Sequence, residues 1–375
     1  MPCKLSLTHS FILVLVAVFS LNTSAYETDQ YTVSPQPLAD IGEDLSTFIH
    51  MRLKEGVDEI NHLRADLPRT VEALRAEAAR AEDFASAVQR LTQAEELERQ
   101  LSTQAGQLKY LFQKYSLAIT WNDQRDGVFG IGLSYAQYPN DLKNGKVVSY
   151  TPDKLNTIYS YSGFHRIISP SYFVFASTVN VYGTSMGVDK IGHLFNQGYE
   201  YSEAYEKHLN AGLAPSKALR HAIDLGVEAE DGLFGMLVDG VYSNADLAAN
   251  FAGFMFYQNL FHDMNFRGAT HRRIIEVDRQ GNLALSRSPE NGPRVLMKRF
   301  ISEHLDESIN PNILERLQRE PVRRAIRARC ASWLKAYGSP SKQQLIATID
   351  RTKLWFGYDY GRRSEESILP QEECF

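Results

Sequence analysis

The sequence predicts a mainly α-helical protein: a long N-terminal helical hairpin, a helical core, and small β elements. Three observations carry this expectation. From Leu45 to Leu111 apolar residues recur mostly at three- and four-residue steps, the period of one helix face. From Gly187 to Leu260 helical spacing returns in a stretch dense in aromatics, Gly and Ala. Ser116–Tyr182 lacks that rhythm and is rich in Tyr, Gly, Ser and β-branched residues, and Arg273–Leu285 (RIIEVDRQGNLAL) reads as a hairpin. The chain has 375 residues, 43% hydrophobic and 23% charged, which suits a buried core and argues against global disorder. Its length fits about two domains at roughly 150 residues each, or one domain with a helical extension.

Residues 1–25 read as a secretory signal peptide. Met1–Lys4 carries one positive charge, Phe11–Leu21 is apolar but for one Ser, and Asn22–Ala25 supplies small residues suited to cleavage. An 11-residue helix covers roughly 17 Å, short of a bilayer core near 30 Å. The Tyr26–Ala39 segment, with two prolines, reads as a linker. Residues 40–117 form the hairpin. Leu45, Phe48, Ile49, Leu53, Val57, Ile60 and Leu63 mark its first helix. Asp66-Leu67-Pro68 ends that helix, and Pro68 suits the first turn of the next. A solvated hairpin is the main expectation, and a partner-binding coiled coil its alternative.

Residues 118–290 form the core. Strands are expected over Val128–Leu133 and Tyr172–Val181, and a turn at Arg279–Asn282. Residues 291–375 read as a C-terminal helical region and tail. There Asp306-Glu307 and Asn310-Pro311 read as a helix end and turn. Arg319, Arg323, Arg324, Arg327 and Arg329 form a solvated basic face, with Pro321 in the first turn of its helix. Trp355, Phe356, Tyr358 and Tyr360 pack a tail. No apolar run after the leader reaches membrane-spanning length. Cys330 and Cys374 remain beyond the leader, which holds Cys3. Export permits a bridge, but the spacing leaves pairing and separate thiols both open. The net charge of −5 excludes a broadly basic nucleic-acid binder.

The chemistry concentrates in Gly187–Leu260. One helix starts near Asp189 and ends near Ala211-Gly212. Asp189 and His193 share a face on it, extended by Asn196, Gln197 and Glu200. A second helix starts at Ser216 as N-cap and carries His221, Asp224, Glu228 and Asp231. A third starts at Ser243 and carries Asp246 and Asn250, with Ser243 and Asp246 spaced as in a capping box. Carboxylates and imidazole converging from three helices bind a divalent metal well. The expected ligands are Asp189, His193, Asp231 and Asp246, with Glu228 as proton-transfer residue and Lys190 and Asn250 as binding residues. A structural polar network is the competing expectation. Glu59-Ile60-Asn61-His62 has the Glu-x-x-His spacing only once, whereas di-iron bundles need it twice.

The run Asp189-Lys190-Ile191-Gly192-His193-Leu194-Phe195, an acidic helix around Glu228, and Ser243–Asn250 with Gly253 resembles the core pattern of VanZ-like proteins. A related set of uncharacterised envelope lipoproteins shares that pattern. The resemblance covers about Asp189–Gly253, less than a fifth of the chain. It carries over Asp189, Lys190, His193, Glu228, Asp246 and Asn250, and implies an envelope role and a polar site. VanZ-like proteins are membrane-embedded and the lipoproteins carry a lipid-attachment Cys, and this sequence shows neither feature.

Gly183-Thr184-Ser185-Met186-Gly187 matches the G-x-S-x-G nucleophile elbow, with Asp239 and His262 downstream as partners, although few further strands follow it. A flexible turn before a helix is the simpler reading. The expectation is therefore a periplasmic or secreted cell-envelope protein with a polar, metal-binding pocket, and with metal-assisted ester or phosphoester hydrolysis as its chemistry. The alternatives are a non-catalytic scaffold that binds an envelope protein or a lipid-related ligand, and a serine hydrolase using Ser185.

Overall fold

A computed structural model describes residues 28–81, 83–114, 142–153, 156–161, 176–232, 235–236, 240–362 and 367–374. The leader, the strand expected over Val128–Leu133, the first residues of that expected over Tyr172–Val181, and Asp239 lie outside them. The protein is mainly helical with short strands, as the periodicity predicts.

Helix α1 (Gly42–Ala78) runs 37 residues and buries Leu45, Ile49, Leu53, Val57, Ile60, Leu67 and Val71 along one face. It passes straight through Pro68, correcting the expected break there. Proline removes one backbone donor, but Leu67 and Val71 beside it are buried and hold the helix on course. The chain reverses instead at residues 79–83, where Asp83 caps α2 (Phe84–Leu101) by accepting from the Ser86 amide at 3.2 Å. Exposed pairs Arg75–Glu95 (2.7 Å) and Arg90–Glu77 (2.6 Å) bridge the two helices. Helix α3 (Gln104–Lys114) carries Leu108 and Leu111 into the core, and Phe112 stacks on Tyr199 at 3.8 Å. Buried residues of α1 and α3 belong to the same apolar cluster as the core helices.

The expected linker is no tether. Thr28, Asp29, Gln30 and Tyr31 are all buried, and residues 28, 38 and 40 form isolated bridges to 176, 147 and 180. Their polar side chains meet buried polar groups of the core. Strands β1 (Leu142–Lys143) and β2 (Lys146–Val147) form a small hairpin. Strands β3 (Ser149–Tyr150), β4 (Thr178–Val181) and β5 (Thr184–Gly187) form an antiparallel sheet in that order.

Three core helices follow. Helix α4 (Asp189–Asn210) ends before Gly212, which takes a positive φ of 86° as expected of a helix stop. Helix α5 (Pro215–Asp231) is capped at Ala214, not at Ser216. Pro215 takes the first position, where its missing amide costs nothing. Strand β6 (Val241–Tyr242) leads to α6 (Asn244–Phe261), whose N-cap Ser243 accepts from the Asp246 amide at 3.2 Å. Helix α6 is buried all round, the pattern of a core helix. It crosses α4 at Gly198 and Gly253. A Cβ on Gly253 would lie 1.8 Å from the Leu194 carbonyl oxygen, so the backbones meet only because both residues are glycine.

Strands β7 (Met264–Phe266) and β8 (Ala269–His271) form one hairpin, β9 (Ile275–Val277) and β10 (Leu283–Leu285) the next. The second turns where the sequence predicts. Asp278 accepts from the Gln280 and Asn282 amides, each at 2.8 Å. Strand β11 (Asn312–Leu314) pairs with β6, so the segment before it returns to the core. Helix α7 (Arg316–Arg327) starts five residues before Pro321, which lies inside it and not in its first turn. The Glu315 side chain caps the true start at the Leu317 amide (2.7 Å). Helices α8 (Cys330–Tyr337) and α9 (Lys342–Thr352) follow. Strand β12 (Ser367–Ile368) pairs with β11, and α10 (Pro370–Cys374) returns to α8 through a Cys330–Cys374 disulfide with Cα atoms 5.3 Å apart. Arg323 and Arg327 hold Glu373 at 3.1 and 2.7 Å, so part of the basic face grips the tail. Trp355, Phe356 and Tyr360 are buried against the core, while Tyr358 is exposed. Among the described residues no helix is long and apolar enough to cross a membrane.

Candidate metal centre

The α4–α6 crossing sets the site. Asp189 and Lys190 open α4, and His193 lies one turn on. Asp246 and Asn250 lie one turn apart on α6 and face them. The Lys190 ammonium is wholly buried. It contacts Asp189 Oδ2 at 2.8 Å and also reaches Asp246 Oδ1 and Glu307 Oε1. A buried ammonium is tolerable only with such company, because removing it from water costs several kcal/mol. Asp189 Oδ1 accepts from the Thr28 hydroxyl at 2.8 Å. The Glu307 amide donates to Gln30 Oε1 at 2.9 Å, which places that carboxylate in the cluster.

His193 has its two nitrogens differently engaged. Nδ1 meets Asn250 Oδ1 at 3.0 Å, and Nε2 faces Asp246 Oδ2 at 3.3 Å. Asn250 also lies beside the Tyr201 hydroxyl. Nδ1 is thus held by an amide oxygen, and Nε2 is presented to a carboxylate oxygen. Glu230 completes this side. It is buried, and its Oε2 accepts from the Ser243 amide at 3.2 Å. Donor atoms of His193, Glu230 and Asp246 lie within 4.8 Å of one another, as do those of Asp189, Asp246 and Glu307.

The charges are unbalanced: four buried carboxylates share one lysine and one imidazole. Burial raises the Asp246 carboxyl, but His193 and Lys190 more than offset this and hold it below the usual value. Burial pushes Glu307 up to about 8. Lys190 opposes that shift, and the Asp189 and Asp246 charges add to it. Glu307 Oε2 has no hydrogen-bond partner. Burial also pushes the adjacent Asp306 up to about 7.

Five of the seven expected site residues thus converge: Asp189, Lys190, His193, Asp246 and Asn250. Glu228 and Asp231 do not. Both are exposed, and Asp231 pairs with Arg362 at 2.8 Å. The polar stripe His221–Asp224–Glu228–Asp231 lies away from the face of α5 that the core buries. That buried face runs Leu219, Ala222, Ile223, Gly226 and ends in Glu230. An acid interrupting an apolar stripe was the signal that Glu230 offered. Glu307 offered none: it lies 117 residues from Lys190, and the sequence reads Asp306-Glu307 as a helix end.

Ser185 sits inside β5, paired with Asn180, two residues past the Tyr182-Gly183 turn. An elbow needs its serine at the turn itself. Among the described residues the Ser185 hydroxyl lies beside the Tyr337 phenol and has no imidazole partner, and His262 is exposed. Glu59 bonds Tyr110 and Lys114, and His62 pairs with Asp66 at the surface, so that Glu-x-x-His spacing is incidental. No protein-family model, curated protein or solved structure matches the chain.

Proposed function

We propose that the chain is an exported cell-envelope protein whose core holds a divalent cation at His193, Glu230 and Asp246. One observation carries this reading. His193 Nε2 and Asp246 Oδ2 face each other at 3.3 Å while Asn250 occupies the other ring nitrogen. Donor atoms of these two residues and of Glu230 lie within 4.8 Å of one another, close enough for one cation to bridge them. Nitrogen with carboxylate oxygen suits a first-row divalent metal. Asn250 and Tyr201 supply the outer support that ligating histidines ordinarily have. Export is supported by the leader-like first 25 residues and by the disulfide, which persists in oxidising compartments.

A bound cation lowers the pKa of its water and supplies a nucleophile for ester or phosphoester hydrolysis. The three donors are buried, so hydrolysis also requires the core to open. A closed site of this kind first serves folding. A scaffold without metal is the second reading, favoured by the Lys190 ammonium already reaching three carboxylates.

Elemental mass spectrometry of gently purified protein separates the two. Near-stoichiometric metal is expected, lost in His193→Ala and Asp246→Ala and kept in Glu228→Gln. Absence of metal, with the first two variants merely less stable, would overturn the metal reading and leave the scaffold.

A further inference from the structure

Outside this cluster lies a cavity of about 380 Å³ lined by Tyr182, Arg267, His271, Glu290, Lys298 and Arg299, with Val295 and Ile301 as its apolar wall. Three cationic side chains face one carboxylate, and that carboxylate is already committed. Glu290 Oε2 meets His271 Nδ1 at 2.7 Å, and Oε1 accepts from the Arg272 amide at 2.7 Å. Among the described residues neither Arg267 nor Lys298 has an ion-pair partner. Arg299 is only 8% exposed. Its Nη2 donates to the neutral oxygens Asn259 Oδ1 (2.7 Å) and Asn291 Oδ1 (2.8 Å), and Nη1 to the Glu290 carbonyl (3.0 Å). The Glu290 carboxylate makes only a long ion pair with it, Nη1 to Oε2 at 4.0 Å. Arg299 Nε and His271 Nε2 are buried with no partner at all. Burial pushes the Arg299 guanidinium down to about 10. The floor of this cavity is a positive charge short of anionic company.

The backbone around it is strained in a consistent way. Tyr182 (φ 53°) precedes Gly183 (φ 80°), and Arg267 (φ 53°) precedes Gly268 (φ 73°). Each pair closes a tight hairpin, β4–β5 and β7–β8. The first residue of such a turn is ordinarily Asn, Asp or Gly, because bulky side chains are unfavourable at positive φ. Both bulky residues line this one cavity. Asp40 pins the first turn, accepting from the Tyr182 and Gly183 amides at 2.9 and 3.0 Å. The Arg267 guanidinium lies 5.0 Å over the Trp355 ring and donates to the Arg299 carbonyl at 3.4 Å. Strained residues held in place by their surroundings gather at ligand clamps.

We propose that this cavity binds a phosphate group, carried by a small molecule or by a lipid headgroup, with Arg267 and Lys298 as its direct ligands. The Arg267 fork matches phosphate oxygens, Lys298 adds a point charge, and Arg299 beneath supplies a fixed one. Val295 and Ile301 accommodate the carbon that bears the phosphate. The site shares no residue with the metal centre, so its fate is independent of that reading.

The test uses the purified chain and two variants, Lys298→Ala and Arg267→Gly. Inorganic phosphate and glycerol 3-phosphate are titrated by calorimetry, with tryptophan emission followed in parallel because Trp355 lies under Arg267. Co-sedimentation uses phosphatidylcholine vesicles with and without phosphatidic acid. Binding is expected, weakened at least ten-fold in each variant. Arg267→Gly should not lower Tm, because glycine relieves the turn, which separates lost binding from lost folding. Binding of the soluble phosphates assigns a small-molecule ligand, and binding only to phosphatidic acid vesicles assigns a headgroup. If no probe binds, or if both variants bind as the parent does, the proposal is overturned.

Discussion

Glu307 shows how a single buried carboxyl links structure to pH. Its folded value of about 8 lies above the ordinary 4.5, and that of Asp306, about 7, above 3.8. Between those limits the folded chain binds more protons than the unfolded chain, so stability falls as pH rises. Metal-free protein is therefore expected to melt at a lower temperature at pH 8 than at pH 5. Glu307→Gln should flatten that slope and melt above the parent at pH 8, in scans run with a chelator. A parent whose Tm rises over this range would show that the residue ionises freely in the fold. At this scale the sequence was legible where local period exposes a side chain. Asp189 with His193, and Asp246 with Asn250, are one helical turn apart, and spacing alone pairs them. Glu230 was hidden because it lies on the apolar face of α5, whereas the polar stripe of that helix belongs to solvent. Glu307 was hidden because its partners are set by tertiary return of the chain and not by any local period.

Elements are legible where apolar periodicity is strong and less so where the expectation rests on a single residue. The two prolines are the clear case. By sequence Pro68 and Pro321 suit first turns, yet both lie inside helices, because packing beside them outweighs one missing hydrogen bond. The hairpin over Arg273–Leu285 was read correctly because turn chemistry and alternation agreed. The α4–α6 crossing matters most for function. It brings His193 to Asn250, and it rests on Gly198 and Gly253. Gly253→Ala should cost about 2 kcal/mol or more, since the new Cβ must push the helices apart. Chemical denaturation measures the loss, and metal content should fall with it. Unchanged stability would mean that the crossing has slack, and would remove the argument that it sets the distances of the site.

Among the described residues one large apolar cluster takes residues from Ile41 to Tyr360, and a smaller one joins Tyr31, Ile158 and Val241 to Val322 and Ile326 of α7. The hairpin, legible as helices, was not legible as part of the large cluster, because sequence period says which face is apolar and not what covers it. The disulfide adds a separate constraint. It joins residues 44 apart, and closing a loop of that size is worth roughly 4 kcal/mol in the chain-entropy account. Reduction, or the Cys330→Ser/Cys374→Ser double change, should lower unfolding free energy by about that amount. Equal denaturation midpoints with and without reductant would show that Glu373 and its arginines hold the tail unaided.

The burial of Thr28 and Gln30 has a consequence in time. Thr28 bonds Asp189 161 residues away, and Gln30 bonds the Glu307 amide 277 residues away. Contacts so distant in sequence are slow to form, because a long loop must close before either end gains anything. During synthesis residues 28–30 leave the ribosome on the order of tens of seconds before their partners exist, at roughly 5–20 residues per second. The acid cluster therefore cannot be sealed until the segment at 303–307 has been made. Until the segment at 303–307 arrives, Lys190, Asp189 and Asp246 stand open to water, and that interval is when a cation enters most easily.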